Sequence, residues 1–329
     1  MKSRVLAVAL MMVGAGRLLA ATTVYVDKSA DPALADGTAE YPYVTIQKGV
    51  EEVEAGGTVY VRPGVYDEGE TVDADTSSNR VYITKKLTLV ASSFEETGCR
   101  TNTIIRGKAA TVPKSAVALG LGDDAVRCVR ATVAGVIIRG FTIEEGHAKY
   151  DNNGKGENQN LGGGVYGNAS RGTRLEDCII RNCAARSGGA THNCRVVRCL
   201  VTGCNSSNVG VCFRNTDVYN SIVARNGFLG GNGIGAYSSA IYNSTLVENN
   251  TGVWQDSGAA CYNCAIFRMV LGNIKDKGFY EDPNRYYYNV FAISIFGVSI
   301  AGDGCGPCLS WKKFQELVHN GIADHALDL

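Results

Sequence analysis

A five-residue pattern recurs five times in the second half of this chain, and it constrains the fold more than any other feature. Its third residue is Cys or Ser, flanked by polar and aliphatic residues, at Cys178, Cys199, Ser221, Ser244 and Cys264. Successive copies are separated by 21, 22, 23 and 20 residues, a self-similarity that is typical of solenoids. The chain is therefore predicted to be a coil of similar turns.

Each repeat also contains a second short apolar element, such as residues 210–213 before Ser221 and residues 252–254 before Cys264. Gly, Asn, Ser and Asp, which favour tight turns, lie between these elements. Repeats of this length leave no room for a strand, a crossover helix and turns, but they accommodate two or three strands. We therefore predict an all-β fold, a right-handed parallel β-helix.

Stacked coils place equivalent residues above one another, about 4.8 Å apart, so recurring residues should form columns. Inward aliphatic residues of the core are predicted at Ile180, Val201, Ile222 and Leu246. Side-chain ladders are predicted for Asn220, Asn243 and Asn263, for Asn226 and Asn249 above Cys183 and Cys204, and for Cys178 with Cys199. The alternative, that these asparagines are solvated turn residues, remains open.

The two ends of a solenoid need protection, and the chain offers a candidate helix for each. Residues 43–57 are predicted to form an N-terminal helix with Ile46, Val50 and Val53 on one face, ending at Gly56. A C-terminal helical cap, or a helix that docks a protein partner, is predicted from Trp311, Phe314, Leu317, Val318 and Ile322. The predicted domains are a signal peptide at 1–21, the β-helix with its N-terminal cap at 22–283, and a C-terminal cap or tail at 284–329.

Residues 1–21 have the layout of a secretory signal, with Lys2 and Arg4 before an apolar run and small residues at Ala20 and Ala21. Its removal would leave 29 basic and 32 acidic residues, a net charge of −3. This balance argues against nucleic acid and anionic membranes as partners. No other stretch approaches transmembrane length. We expect a secreted or periplasmic protein, free or attached to a surface.

The chain has 12 cysteines, and an exported protein can oxidise them. Cys178, Cys199, Cys183 and Cys204 occupy solenoid columns, where bridging adjacent coils would pull the β-carbons to about 3.8 Å and strain both coils. We therefore favour packed thiols at these four positions. Cys305 and Cys308 form a Cys-Gly-Pro-Cys motif without the βαβ context of a redox enzyme, which favours a local disulfide.

The opening segments carry a family resemblance. Residues 25–27 (Tyr-Val-Asp), 36–38 (Asp-Gly-Thr), 43–50 (Tyr-Val-Thr-Ile-Gln-Lys-Gly-Val) and 57–68 resemble secreted bacterial β-helix proteins of the pectate lyase-like superfamily. The later repeats are also similar to those of the polymorphic outer-membrane proteins of chlamydiae. This resemblance implies the fold and extends to about residue 283. It does not imply one activity, because the superfamily includes lyases, hydrolases, esterases, adhesins and tailspikes.

No complete catalytic set of these enzymes is present. Residues 215–217 (Asn-Thr-Asp) and 146–147 (Gly-His) match fragments of the hydrolase motifs, out of order, and the esterase set cannot be placed. A loop that interrupts the repeats offers weak candidates for catalysis at Glu144, Glu145, His147, Lys149 and Asp151. There, Asp151 and Glu157 could bind Ca²⁺ while Lys149 acts as the base of a lyase. A solvated loop without a site is the simpler interpretation.

The function favoured by the sequence is therefore binding of a polysaccharide or cell-surface glycan, or adhesion, without evident catalysis. Aromatic candidates for stacking on sugar rings are Tyr237, Trp254, Tyr242 and Tyr262. A Ca²⁺-dependent pectate-type lyase and a structural module that binds a protein partner are the alternatives.

Overall fold

The chain folds into stacked coils whose strands form three long sheets. The computed structural model describes residues 23–114, 119–150, 157–207, 212–228, 236–247, 249, 260–267, 286–287 and 290–292. A complete coil runs through four sheets, called A, B, D and C, in turn. One example is β12 (Thr173–Glu176), β13 (Ile179–Arg181), β14 (Ala184–Ala185) and β15 (Thr191–His192), after which the chain returns to sheet A at β16 (Cys194–Val197). Apart from a short hairpin between β4 (Thr71–Val72) and β5 (Ser78–Ile83), the ladders of the described strands are parallel. This is the right-handed parallel β-helix that the repeat predicts.

The strands have the following bounds. Sheet A consists of β1 (Thr23–Val26), β2 (Thr58–Val61), β6 (Thr88–Ala91), β9 (Val136–Arg139), β12 (Thr173–Glu176), β16 (Cys194–Val197), β20 (Asp217–Tyr219), β24 (Ala240–Tyr242), β26 (Ala260–Tyr262) and β28 (Tyr286–Tyr287). Sheet B consists of β3 (Gly64–Tyr66), β7 (Thr103–Arg106), β10 (Thr142–Glu144), β13 (Ile179–Arg181), β17 (Leu200–Thr202), β21 (Ile222–Ala224), β25 (Thr245–Val247), β27 (Ala265–Phe267) and β29 (Val290–Ala292).

The two remaining sheets are shorter. Sheet C consists of β4 (Thr71–Val72), β5 (Ser78–Ile83), β8 (Val126–Ala131), β11 (Val165–Tyr166), β15 (Thr191–His192), β19 (Phe213–Arg214) and β23 (Ala236–Tyr237). Sheet D consists of β14 (Ala184–Ala185), β18 (Asn205–Ser206) and β22 (Gly227–Phe228). Strands β28 and β29 pair in register with β26 and β27, so the sheets extend beyond residue 283 to Ala292.

The helices are short. Helix α1 (Ile46–Glu52) packs against β1, β2 and β5, α2 (Ser92–Thr97) follows β6, and a 3₁₀ turn spans Glu157–Asn160. The N-terminal helix is shorter than the predicted 43–57, because the Thr45 side chain caps its start and Val53 is extended. Its role as a lid stays a prediction. The C-terminal helix, the signal segment, Cys305 and Cys308 lie outside the described residues.

Small residues and aliphatics fill the core in columns. Ile180, Val201, Val223 and Leu246 are buried one above another in sheet B. The prediction for Ile222 was wrong: it pairs with Leu200 and faces outward, half-buried. Because the side-chain period of a strand is two residues, a shift by one position moves a residue to the other face.

Each coil turns its corners with one residue in the left-handed region. Between sheets A and B this residue is Asp177, Arg198, Asn220, Asn243 or Asn263, with φ between 48° and 54°. Equivalent corners between sheets C and A use Asn193, Asn215 and Ser238, and corners after sheet B use Asn182, Gly203 and Arg225. Asn and Gly tolerate this conformation best, which explains why Asn recurs at corners.

The residue after each corner is buried, and its side chain completes the hydrogen bonding that the turn interrupts. The Ser221 hydroxyl accepts from the Cys199 N–H at 3.1 Å and donates to the Tyr219 carbonyl at 2.7 Å. The Ser221 N–H in turn donates to the Ser244 hydroxyl at 3.1 Å. A small side chain that both donates and accepts is required because an unpaired buried N–H or carbonyl is costly.

The asparagine columns differ in character. The Asn226 side chain donates to Asn249 Oδ1 at 2.9 Å, and Asn226 Oδ1 accepts from the Cys204 N–H at 2.9 Å, both buried. The column of Asn220, Asn243 and Asn263 lies at exposed corners, where Asn263 donates to Asn243 Oδ1 at 2.8 Å. The buried column therefore replaces backbone partners, whereas the exposed one occupies left-handed corners.

Thiols occupy many of the positions after corners. The structure describes nine cysteine side chains, eight of them buried, and the predicted columns of Cys178 with Cys199 and of Cys183 with Cys204 contain no disulfide. Cys199 Sγ accepts from the Cys178 N–H at 3.3 Å, as a serine hydroxyl does elsewhere. Burial raises the pKa of the Cys178 thiol and raises the pKa of Cys194 to about 12. Cys178 and Cys194 are therefore protected from oxidation by their low thiolate content and their burial.

We predict that Ser221→Ala lowers the free energy of unfolding by about 1–3 kcal/mol, because it leaves the buried Cys199 N–H without its acceptor. The Tyr219 carbonyl loses one of two donors and keeps the Arg198 N–H. Ser221→Cys should cost less, since Cys fills the equivalent positions 178, 199 and 264. Urea unfolding measures both. Equal costs for the two variants would show that the bonds at this corner contribute nothing.

We also predict that brief alkylation of the native protein labels Cys99 and spares the eight buried thiols. Hydrogen bonds from Thr101 lower the pKa of Cys99, which is partly exposed. Peptide mass spectrometry before and after unfolding measures the labelling. Recovery of a disulfide between Cys178 and Cys199 would contradict the packed-thiol column.

Candidate functional site

Glu144, the first candidate in the interrupting loop, is part of an ion-pair column on sheet B. It aligns with Arg106 on one neighbouring strand and Arg181 on the other. Arg106 Nη2 lies 2.6 Å from Glu144 Oε1, and Arg181 Nη2 lies 2.6 Å from Oε2. The Nε atoms of both arginines donate to the same oxygens at 2.7 Å. Both carboxylate oxygens are thus occupied.

The electrostatics of Glu144 do not suit a general acid. Burial opposes ionisation, but the hydrogen bonds from Arg106 and Arg181 outweigh it, and the pKa of Glu144 is lowered. A carboxylate that stays ionised and doubly paired stabilises the coils. It has no free oxygen with which to take a proton from a substrate.

The other loop candidates do not converge on one point. Glu145 is an exposed left-handed corner residue with φ of 54°. His147 Nδ1 lies 2.8 Å from the Glu145 carbonyl, and Lys149 Nζ donates to the carbonyl and hydroxyl of Thr76 at 3.2 and 3.1 Å. Asp151 and the Glu157 side chain lie outside the described residues. Within the described chain, no group of three or more His, Cys, Asp or Glu side chains could hold a metal ion.

The tyrosines of sheet A stack on one another. The rings of Tyr219 and Tyr242, and those of Tyr242 and Tyr262, lie 4.8 Å apart with interplanar angles of 5° and 8°. Both faces of Tyr242 and one face of Tyr262 are therefore covered. This arrangement contradicts the expectation that Tyr242 stacks on a sugar, because stacking needs a free ring face. Trp254 lies outside the described residues.

Tyr237 belongs to a different column, on the outer face of sheet C. The strand register aligns one residue from each of six neighbouring strands. We call this set the sheet C column: Tyr82, Arg130, Tyr166, His192, Arg214 and Tyr237. Five steps of strand spacing give it a length of about 24 Å.

Aromatic and guanidinium groups are in contact along most of this column. The Arg130 guanidinium carbon lies 3.9 Å from the Tyr166 ring centroid. The Tyr166 and His192 rings meet edge to face at 4.8 Å, and the Arg214 guanidinium lies 5.5 Å from the Tyr237 ring. Tyr166 and His192 are buried, whereas Tyr82, Arg130, Arg214 and Tyr237 are partly exposed. The column is therefore partly accessible at both ends, and Arg214 and Tyr237 form one of them.

Arg127 fixes the wall beside the column. Its fully buried guanidinium donates to the carbonyls of Leu161 and Gly162 at 2.9 and 2.8 Å and to Asn79 Oδ1 at 2.8 Å. Asp73 Oδ2 lies 3.5 Å from Arg127 Nη1. Burial lowers the pKa of Arg127 to about 10, which leaves it charged at neutral pH. This residue ties β5, β8 and the segment before β11 together.

His192 is neutral over the physiological range. Burial, followed by the charges of Arg214, Arg127 and Arg130, lowers its pKa to about 3. Its Nδ1 atom is buried and makes no hydrogen bond within the described part of the chain. A buried polar atom without a partner is rare and marks a place where a ligand could supply one.

The sequence did carry a signal for this column. His192, Arg214 and Tyr237 each precede a left-handed corner and a small polar residue, in the order His-Asn-Cys, Arg-Asn-Thr and Tyr-Ser-Ser. The same order defines the main repeat, as in Tyr219-Asn-Ser. The columns predicted from the sequence lie at two other corners of each coil, and this corner is harder to recognise because the residue before it changes type.

Comparison with known proteins places the chain in a family. The profile described as "Protein of unknown function (DUF1565)" matches residues 30–261. The chain belongs to this family. No curated protein matches the sequence significantly.

Solved structures similar to this DUF1565 protein include pectin methylesterases. One of them, in complex with a hexasaccharide, has a TM-score of 0.50 and 13% identity, covering 90% of this chain and 96% of its own. The enzyme from carrot has a TM-score of 0.46 and 13% identity, covering 92% and 95%. The enzyme from Yersinia enterocolitica has a TM-score of 0.45 and 13% identity, covering 83% and 96%. At this identity the first match shows the shared fold alone.

Among the described residues, no helix is long and apolar enough to cross a bilayer.

We predict that Glu144→Gln lowers the free energy of unfolding at pH 7 by about 1–3 kcal/mol. The expected cost is smaller than for a fully buried ion pair, because the two arginines are partly exposed and solvent screens their charges. Because the folded pKa of Glu144 is lowered, its contribution is present above its unfolded pKa, about 4.3. It is lost as the pH falls through the folded value.

Unfolding curves at pH 7 and pH 3 measure this effect, and the neighbouring exposed Glu145→Gln is the control. Equal stability of Glu144→Gln and the unmodified protein at pH 7 would contradict the assigned role.

Proposed function

We propose that this protein binds polysaccharide along the outer face of sheet C, as a secreted or cell-surface binding or adhesive module. The observation that carries the proposal is the continuous sheet C column, which ends in the half-buried pair Arg214 and Tyr237. Aromatic rings beside hydrogen-bond donors are the groups with which proteins recognise sugars.

The dimensions of the column support an extended ligand. Neighbouring members are spaced at about 4.8 Å, the distance between strands, which is close to the length of one sugar unit in a polysaccharide. A chain lying parallel to the coil axis would therefore meet an equivalent position on each coil. The pectin methylesterase with the same fold, solved with a hexasaccharide, is consistent with a β-helix face that presents a site to a sugar chain.

Binding without cleavage is the form of the proposal that the described residues support. The candidate acid Glu144 is doubly paired, and Lys149 contacts Thr76. Ca²⁺ would be needed only by a lyase, and its candidate ligands Asp151 and Glu157 have no described side chains. The alternative partner site on the C-terminal helix also lies outside the described residues.

We predict that Tyr237→Leu weakens binding of hexasaccharides, neutral and acidic alike, by about five- to tenfold, because a stacking face is lost. Isothermal titration of the purified mature protein with a panel of plant and bacterial hexasaccharides measures the affinity. Tyr41→Leu is the matched control, since Tyr41 is an exposed tyrosine remote from sheet C.

An unchanged affinity in Tyr237→Leu, or no binding of any hexasaccharide, would overturn the proposal. Release of reducing ends from uronate or neutral polysaccharides, measured with Ca²⁺ and with chelator, tests the lyase alternative. If reducing ends are released and a chelator abolishes the release, the protein is a Ca²⁺-dependent lyase and the proposal of binding without catalysis is wrong.

A further inference from the structure

Two polar groups of the sheet C column lack the partners that such groups normally have. The Arg214 guanidinium contacts the Tyr237 ring but makes no hydrogen bond or ion pair within the described chain. His192 Nδ1 is buried and has no hydrogen bond from the described residues. Elsewhere in the described coils, arginines such as Arg106, Arg139 and Arg171 are paired with carboxylates.

Arg214 and His192 are neighbours by register. They are directly paired residues of β19 and β15, so their side chains leave the sheet side by side on its outer face. The segment around Gly188 passes close by: a Cβ atom at Gly188 would lie 3.2 Å from Arg214 Cβ. Tyr237 flanks Arg214 on the other side. His192, Arg214, Tyr237 and the Gly188 backbone therefore lie side by side at one end of the column.

Among the described residues, no carboxylate forms an ion pair with Arg214. The nearby acid Asp73 lies 3.5 Å from Arg127 and 4.0 Å from Arg130, at the opposite end of the column. The remaining positive field is felt by His192, whose pKa is lowered by burial and then by Arg214, Arg127 and Arg130. A field that disfavours a cation at His192 favours an anion at the same place.

We infer that Arg214 and His192 form a subsite for an acidic group, a carboxylate or a sulfate ester, carried by the polysaccharide. This inference rests on the proposed function and adds the charge class of the ligand. A guanidinium pairs with two oxygens of a planar or tetrahedral oxyanion. The neutral imidazole of His192, in the tautomer with a proton on Nδ1, donates a third hydrogen bond.

The first test compares two oligomers with the same backbone, a hexagalacturonate and its fully methyl-esterified form, by isothermal titration. The unmodified protein should bind the acid more tightly, and Arg214→Gln should weaken binding of the acid about tenfold. Binding of the ester, which loses a neutral hydrogen-bond donor but no charge pair, should weaken by a clearly smaller factor. A sulfated hexasaccharide in the same titrations distinguishes sulfate from carboxylate. Arg195→Gln is the matched control, because Arg195 is an exposed arginine without a described partner, on sheet A.

Equal losses for acid and ester in Arg214→Gln, or no loss for either, overturn the acidic subsite and leave polysaccharide binding standing. The proposed function is tested separately, by whether Tyr237→Leu weakens binding of both the acid and the ester.

The second test needs no polysaccharide. Sodium sulfate is titrated into the isotope-labelled protein while the His192 ring signal, assigned with His192→Gln, is followed by NMR. A saturable shift should occur in the unmodified protein and in Arg195→Gln, and it should disappear in Arg214→Gln. The absence of a shift, or an equal shift in Arg214→Gln, overturns the subsite.

Discussion

The whole coil depends on one hydrogen bond at each corner. A left-handed residue turns the chain sharply, and the N–H that follows can no longer pair along the regular ladder. The next coil supplies an acceptor from a buried side chain, as Ser221 does for Cys199 and Ser244 does for Ser221. Because the requirement is a small group that donates and accepts, Ser, Thr, Cys and Asn can replace one another. The protein can thus carry many cysteines without disulfides in its core.

These corners also organise the outer surface. A residue directly before a left-handed corner points outward, so successive coils place such residues in a straight column. On sheet A this rule stacks Tyr219, Tyr242 and Tyr262, and on sheet C it aligns His192, Arg214 and Tyr237. The left-handed corners, which are needed to complete the backbone hydrogen bonding, therefore also align the outer side chains into columns. The fold and the candidate site both depend on these corners.

This coupling explains what the sequence could predict. The fold and the buried columns followed from the recurring corner residues, because that requirement repeats in every coil. The Glu144 ion pairs could not be predicted, since they join residues 37 and 38 positions apart across an insertion. The core position in β21 was predicted one residue too early, at Ile222 instead of Val223. The sequence pattern around Ser221 does not determine which of the two residues faces inward. The sheet C column could not be predicted from the sequence, because its members share a position in the coil but differ in residue type.

The variation in residue type separates a structural column from a binding one. Stacked tyrosines satisfy one another, since neutral rings lie face to face without unpaired donors. In the sheet C column, guanidinium groups alternate with rings, and like charges cannot pair with one another. The ring of Tyr166 covers Arg130 on one face, yet His192 Nδ1 has no hydrogen-bond partner among the described residues. The stacked tyrosines of sheet A need no ligand, whereas the unpartnered groups of sheet C are what make its outer face the one proposed for binding.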